Sequence, residues 1–150
     1  MFAIQNIVVP TDFSEHSAKA VEAAFMLAKK HDASVSLIYV FVPLALALPA
    51  DTIVDGTDFY AQASSKLEAE LKAEQKRLAE KGLKNVSAKF VSGIPHVEIN
   101  AFAKDQKADL IIMGSHGRTG VAHAVLGSVA EKIVRTARCP VLVIKTDHKK

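Results

Sequence analysis

The sequence predicts an α/β fold: an open five-stranded parallel sheet with helices on both faces. Short β-rich runs alternate along the chain with longer segments in which apolar residues recur at helical spacing. The short runs are apolar on both faces, which is typical of buried parallel strands. Helices between parallel strands must then cover the sheet. Because 150 residues are the length of one ordinary domain, we expect a single domain over residues 1–150.

The first element is a strand at residues 4–9, which ends at Pro10. A helix is predicted over residues 14–30, followed by a second apolar strand at residues 35–42. The inward stripe of the helix is predicted to consist of Ala18, Val21, Phe25 and Ala28.

Residues 43–58 contain two prolines and one glycine, and we expect a long connection there. An amphipathic helix is predicted over residues 59–81, because Gly82 supplies a typical helix stop. Its apolar stripe is predicted to be Leu67, Leu71 and Leu78.

The rest of the chain predicts three more strands and two more helices. Pro95 suits the first turn of one helix, whose inward residues are expected to be Ile99, Phe102 and Ala103. Pro140 separates the last helix from the last strand. The strands are predicted at residues 86–91, 109–113 and 141–144, and the helices at residues 95–106 and 128–138.

Composition argues against several classes of function. The net charge is +3, from 19 basic and 16 acidic residues, and only 6% of the residues are aromatic. The sequence therefore lacks the stripe of basic and aromatic residues that is typical of nucleic-acid-binding proteins. A single cysteine, Cys139, cannot form an internal disulfide, and we expect a small buried apolar residue there. The longest apolar run, residues 37–50, is broken by prolines and shorter than the roughly 20 residues that span a bilayer. We therefore expect a cytoplasmic protein with no membrane partner.

The loop after the fourth strand has the residues of a phosphate cradle. Gly114 and Gly117 let the backbone approach a ligand and expose its N–H groups. Ser128 opens the next helix, where free N–H groups and the helix dipole favour an anion, and Arg118 adds positive charge. Ser128 and Glu131 also fit a capping box, which would explain both residues without a ligand.

Other motifs are absent or open to two interpretations. The glycines match neither a P-loop nor a dinucleotide-binding fingerprint. Asp12, after the first strand, can be a site residue, a helix cap paired with Glu15, or both. His116 and His123 lack an acid or nucleophile partner visible in the sequence, so we assign no catalytic residue.

Together these residues resemble the universal stress protein family. The spacing G-2x-G-9x-G-(S/T) is present as Gly114, Gly117, Gly127 and Ser128. The sequences Val-Pro-Thr-Asp at residues 9–12, Leu-Ile-Ile-Met-Gly-Ser-His-Gly at 110–117 and Cys-Pro-Val-Leu-Val from residue 139 are also similar to the family. The resemblance implies a Rossmann-like fold of the adenine nucleotide alpha hydrolase-like type, with strand order 3-2-1-4-5.

The resemblance also implies a site for ATP, with AMP or ADP as alternatives, and for Mg²⁺ or Mn²⁺ held through the phosphates, with no metal ligand from the protein. Adenine and ribose would lie beside residues from the first two strands and the end of the fourth, and the phosphates beside the glycine loop and the last helix. The implied site residues are Pro10, Thr11, Asp12, Val40, Met113, Gly114, Gly117, Arg118, Gly127, Ser128 and Val129.

The predicted function is a nucleotide-dependent regulatory module in a stress response. The alternatives are a slow ATP hydrolase or phosphotransferase, and an interaction protein that needs no nucleotide. Transfer chemistry needs a positioned nucleophile and strong charge neutralisation at the γ-phosphate, and for these roles together the sequence offers only Asp12 and Arg118. The resemblance further implies a homodimer formed through the last strand, residues 141–144.

Overall fold

In the computed structural model of the chain, residues 2–51, 57–118 and 126–146 are described. They form a five-stranded parallel sheet in the order β3-β2-β1-β4-β5, with helices on both faces, which confirms the predicted fold class and strand order. The strands are β1 (Asn6–Pro10), β2 (Ser34–Phe41), β3 (Val86–Ser92), β4 (Leu110–Gly114) and β5 (Val141–Ile144). The helices are α1 (Glu15–His31), α2 (Leu44–Ala47), α3 (Thr57–Glu80), α4 (Pro95–Asp105) and α5 (Ser128–Thr136).

The core has two layers, one on each face of the sheet. Successive side chains of a strand point to opposite faces, so Val9 packs in one layer and its neighbour Val8 in the other. Helices α1 and α3 cover the first layer, and α4 and α5 cover the second. The central strands are buried on both sides, whereas the edge strand β3 alternates between more and less exposed residues.

The inward face of α1 differs from the prediction. Ala18 is exposed and Phe25 is only half-buried, while Val21 and Ala28 are buried as expected. Two further alanines complete the buried stripe, so small side chains let α1 approach the sheet closely. The buried residues are Ser17, Ala20, Val21, Ala24 and Ala28.

The predicted stripes of the other helices agree better with the structure. In α3, Leu71 and Leu78 are buried and Leu67 packs partly buried against the same layer. The inward residues predicted for α4, Ile99, Phe102 and Ala103, are all buried.

The predicted connection at residues 43–58 contains one short helix, α2, that the sequence reading missed. Residues 52–56 of this connection lie outside the described part of the chain. Within the described ranges, no helix is both long and apolar enough to cross a membrane.

Candidate functional site

A cavity of about 490 Å³ opens at the carboxyl ends of the strands, where β1 and β4 lie side by side. The chain leaves these two neighbouring strands toward helices on opposite faces of the sheet, since α1 packs in one core layer and α5 in the other. Ligands of parallel sheets bind at such reversals. The structure brings ten predicted site residues to the wall of this cavity: Pro10, Thr11, Asp12, Val40, Met113, Gly114, Gly117, Arg118, Ser128 and Val129. Gly127 does not line the cavity but directly precedes Ser128.

Several residues of the cavity wall were not predicted as site residues from the sequence. Pro95 and Ile99, at the start of α4, add apolar surface opposite the end of β2. Tyr39, Ser115 and His116 also line the cavity. Ser115 and His116 directly follow β4, where the predicted topology places a ligand, and that position is the signal that could have found them. Pro95 and Ile99 carry no such signal, because they reach the cavity only through the packing of α4.

The turn after β1 is held by the side chains of Asp12 and Ser14. Asp12 Oδ1 accepts a hydrogen bond from the Ser14 amide at 3.0 Å, and Ser14 Oγ accepts one from the Ser17 amide at 3.2 Å. Ser14 is therefore the N-cap of α1. The alternative that Asp12 caps this helix together with Glu15 is wrong, because the helix begins two residues later than that interpretation requires.

Asp12 also contacts the loop after β4. Its Oδ2 accepts a hydrogen bond from the Arg118 amide at 3.0 Å. Arg118 Nε in turn donates to the Asp12 carbonyl oxygen at 2.7 Å. These two hydrogen bonds join segments 106 residues apart and close one side of the cavity.

Among the residues that the structure describes, no side chain caps the start of α5. Its N-cap is Gly127, whose amide donates to the Ser115 carbonyl at 2.7 Å, and no side chain bonds the first helical amides from this position. The capping-box interpretation of Ser128 and Glu131 is wrong, because Ser128 is the first helical residue. Ser128, Val129 and Ala130 form the first turn and all line the cavity. Helical geometry offers amides of a first turn no carbonyl partner.

Contacts within the protein crowd the motif glycines, with the least room to adjust at Gly114, where the nearest atoms include backbone. A Cβ atom at Gly114 would lie 2.8 Å from the backbone carbon of His16, and one at Gly117 would lie 2.6 Å from Asp12 Oδ2. A Cβ at Gly127 would lie 3.1 Å from the Ser115 carbonyl oxygen. The sequence analysis attributed these glycines to the approach of a ligand, whereas the structure gives each a steric reason without one.

Two histidines border the loop after β4. The ring centroids of His16 and His116 lie 5.4 Å apart. His16 Nδ1 lies 2.7 Å from Thr146 Oγ1, and His116 Nδ1 lies 3.1 Å from Ser115 Oγ. Both rings are thus held in place by hydroxyl groups. His123, the other histidine considered in the sequence, lies outside the described residues.

Tyr39 forms the aromatic side of the cavity. Its ring stacks on Phe13 at 5.1 Å between centroids and on Phe90 at 5.4 Å. Burial raises the pKa of the Tyr39 phenol above its ordinary value, with a smaller opposing effect of Arg118. The phenol therefore stays protonated throughout the physiological range.

The opposite edge of the sheet has a smaller cavity of about 300 Å³, lined partly by Arg138 and Cys139. Cys139 is half-buried, less than the buried position expected from the sequence. Burial raises the pKa of its thiol, and the Asp109 carboxylate adds to the effect, so the thiol is a weak nucleophile at neutral pH. Among the residues that the structure describes, no three His, Cys, Asp or Glu side chains could together hold a metal ion.

Comparison with known proteins settles the family. A profile described as the Universal stress protein family matches residues 3–145. The chain belongs to this family. The universal stress protein MJ0531 of Methanocaldococcus jannaschii is 38% identical over 146 residues, covering 97% of this chain and 84% of that protein.

Solved structures of family members have the same fold. The structure of MJ0577, a universal stress protein of Methanocaldococcus jannaschii, superposes with a TM-score of 0.84 at 29% identity, covering 97% of this chain and 99% of that one. A universal stress protein in complex with cAMP superposes with a TM-score of 0.71 at 26% identity, covering 97% and 99% of the two chains.

Proposed function

We propose that this chain is a regulatory binding module for adenine nucleotides, with ATP as the principal ligand. The observation that carries the proposal is that the first turn of α5 lines the cavity at the carboxyl ends of the strands and bonds to no side chain within the described ranges. The family membership and the cAMP complex of a relative support the ligand class.

The phosphates would lie at the first turn of α5. Ser128, Val129 and Ala130 line the cavity, and the positive end of the helix dipole favours an anion there. The Ser128 hydroxyl, on an exposed side chain, offers one more hydrogen bond. Because no described side chain bonds the amides of this turn, they can bind an external anion.

Arg118 supplies the charge for the phosphates. Only its Nε is engaged, by the Asp12 carbonyl, so within the described residues the two terminal nitrogens have no hydrogen-bond acceptor. A guanidinium can bind phosphate oxygens with two parallel hydrogen bonds. A divalent cation would be held by phosphate oxygens, because the described side chains offer no cluster of metal ligands.

The base would lie at the other end of the cavity. Val40, near the carboxyl end of β2, packs against the core layer that contains Ile99, and both residues line the cavity together with Pro95. A flat aromatic base gains from burial between such side chains. Together the two ends give an amphipathic cavity that suits a nucleotide better than a free phosphate.

Calorimetry with Mg-ATP tests the proposal. Wild-type protein is expected to bind one ATP per chain, and Arg118→Ala is expected to bind it about tenfold more weakly, as loss of a hydrogen bond from a charged group implies. Arg138→Ala removes the same charge at the opposite edge of the sheet and serves as the matched control. Absence of binding by the wild-type chain would refute the proposed function.

The same sample separates binding from turnover. A regulatory module retains intact ATP, so ADP should not accumulate beyond the uncatalysed rate. Steady release of ADP that is lost in Arg118→Ala would instead identify a hydrolase.

A homodimer through β5 is the proposed assembly. This strand lies at the edge of the sheet, and Leu142 is 39% exposed. Ile111 and Ser115 of the β4 side donate to the carbonyls of Pro140 and Ile144. Since backbone groups alternate along a strand, the amides of residues 141 and 143 point away from β4 and can pair with a second copy.

A further inference from the structure

We propose that Asp12 is the positioning residue of the phosphate-binding loop, the segment after β4: its carboxylate holds the Arg118 backbone against the turn after β1. The inference rests on the proposed function for the identity of the ligand. It assigns Asp12 a role on the protein side of the site rather than one as a direct ligand of the ribose or base.

Both carboxylate oxygens of Asp12 are occupied by backbone amides. Oδ1 accepts from Ser14 at 3.0 Å and Oδ2 accepts from Arg118 at 3.0 Å. The Arg118 side chain closes the arrangement by donating from Nε to the Asp12 carbonyl at 2.7 Å. One residue thus orders its own turn and the end of a loop that is distant in sequence.

Gly117 shows how close this contact is. A Cβ atom at residue 117 would lie 2.6 Å from Asp12 Oδ2, well inside van der Waals contact. The absence of a side chain at residue 117 lets the carboxylate take this position, and a methyl group there would displace it. The glycine of the motif and the aspartate of the turn therefore depend on each other.

The charge of Asp12 makes the inference testable. A carboxylate in a cavity for phosphates repels them, so removal of the charge alone would tighten ATP binding. Removal of the loop anchor would instead weaken it, because the Arg118 backbone would lose its fixed position. The two roles predict effects of opposite sign.

The first experiment compares ATP with adenosine in calorimetry of Asp12→Asn and Asp12→Ala. Asparagine keeps the size of the side chain, but its single carbonyl oxygen can accept a hydrogen bond well from only one of the two backbone amides. We expect ATP affinity to fall about tenfold, a loss typical of a hydrogen bond to a charged group. Adenosine lacks the phosphates, and its affinity should fall by less than about threefold, which is less than about half of that free energy. Asp105→Asn, at the exposed end of α4, is the matched control for the charge and should change neither affinity.

The second experiment needs no nucleotide. Gly117→Ala is introduced into wild-type and Asp12→Ala protein, and hydrogen exchange of the Arg118 amide is measured by NMR. In wild-type protein the added methyl group should displace the carboxylate and speed exchange about tenfold, as loss of one such hydrogen bond implies. In the Asp12→Ala background it should change exchange little, because its steric partner is gone.

The outcomes are distinct. Tighter ATP binding by Asp12→Asn, equal losses for adenosine and ATP, or additive effects of the two substitutions on amide exchange would each overturn the positioning role. If the wild-type chain binds no adenine nucleotide while the two substitutions still couple, the proposed function fails and the positioning of the loop by Asp12 stands.

Discussion

At the scale of single residues, the motif glycines are explained by crowding within the protein. Gly114 packs against the backbone of His16 and Gly117 against the Asp12 carboxylate, while Gly127 has slightly more room. A sequence motif shows where glycine stands, but it cannot show what a side chain would meet. The sequence therefore predicted which glycines matter, but not the contacts within the protein that crowd them.

Gly114→Ala is expected to destabilise the fold. Its Cβ would lie 2.8 Å from both the backbone carbon and the Cβ of His16, so α1 must shift, and overpacking of this kind costs about 1–3 kcal/mol. Gly127→Ala is the matched control. Its Cβ contacts begin at 3.1 Å, and alanine also restricts the unfolded chain, so its net effect should be below about 1 kcal/mol. Urea unfolding of both variants measures the difference, and equal losses would contradict the steric argument.

Tyr39→Phe is expected to make the free energy of unfolding decrease less steeply as the pH rises in the alkaline range. Burial raises the pKa of the Tyr39 phenol in the folded state above its ordinary value of 10.0. The folded protein then holds a proton that the unfolded chain releases, so this group stabilises the fold below about pH 10 and the contribution is lost as pH rises through the folded pKa.

Urea unfolding at several pH values between about 9 and 11, a window that brackets the ordinary phenol pKa, measures the slope of the free energy of unfolding against pH. Phenylalanine keeps the ring stacking with Phe13 and Phe90. Tyr60→Phe, at a less buried position on α3, is the control and should keep the wild-type slope. Identical slopes in all three proteins would show that Tyr39 does not contribute.

At the scale of helices and strands, hydrophobic periodicity predicted most of the elements. The bounds of the major helices agree within two residues, because apolar spacing and flanking proline or glycine residues act locally. The short helix α2 was missed since a four-residue helix has too few apolar repeats to be recognised. The predicted buried face of α1 was also partly wrong, because alanine fits both the buried and the exposed face of a helix.

The helix starts show a different limit of the sequence. Two capping boxes were considered, at Asp12 and at Ser128, and neither forms. A capping box is a local pattern, and such patterns occur by chance wherever Ser or Asp precedes Glu. The actual caps are Ser14 and Gly127, which are set by where the chain leaves β1 and the loop after β4.

Ser14→Ala should destabilise the protein by about 1 kcal/mol, because the Ser17 amide loses its cap. Ser128→Ala should change the free energy of unfolding by less than about 0.5 kcal/mol, since this exposed residue is not a cap, while lowering affinity for ATP. Urea unfolding and calorimetry on both variants provide the test. A stability loss at Ser128 as large as that at Ser14 would restore the capping interpretation.

At the scale of the whole molecule, the alternation of strands and helices was sufficient to predict the sheet and the edge at which its cavity lies. The strand order came from the family resemblance, and the structure agrees with it. The apolar part of the cavity around Pro95 and Ile99 was not predicted, because those residues meet Val40 only through tertiary packing. Contacts between distant segments leave no periodic signal in a single sequence.

Val143→Pro is expected to weaken dimer formation without breaking the sheet. The amide of residue 143 points away from β4, so proline there removes an outward hydrogen-bond donor and keeps the pairing with β4. Val143→Thr retains both the amide and the branched side chain and is the control. Sedimentation at micromolar concentration should show dimers for wild type and Val143→Thr, and mainly monomers of 16.1 kDa for Val143→Pro. A wild-type monomer would refute the proposed assembly.

The hydrogen bonds between Asp12 and Arg118 have a consequence for synthesis of the protein on the ribosome. The chain must emerge through residue 118 before this contact can form, and through residue 128 before α5 can contribute its first turn. A nascent chain that has not reached residue 128 therefore has an incomplete pocket. Under the proposed function, nucleotide capture would begin only after this residue has emerged, and the ligand would selectively retain molecules in which both segments have folded.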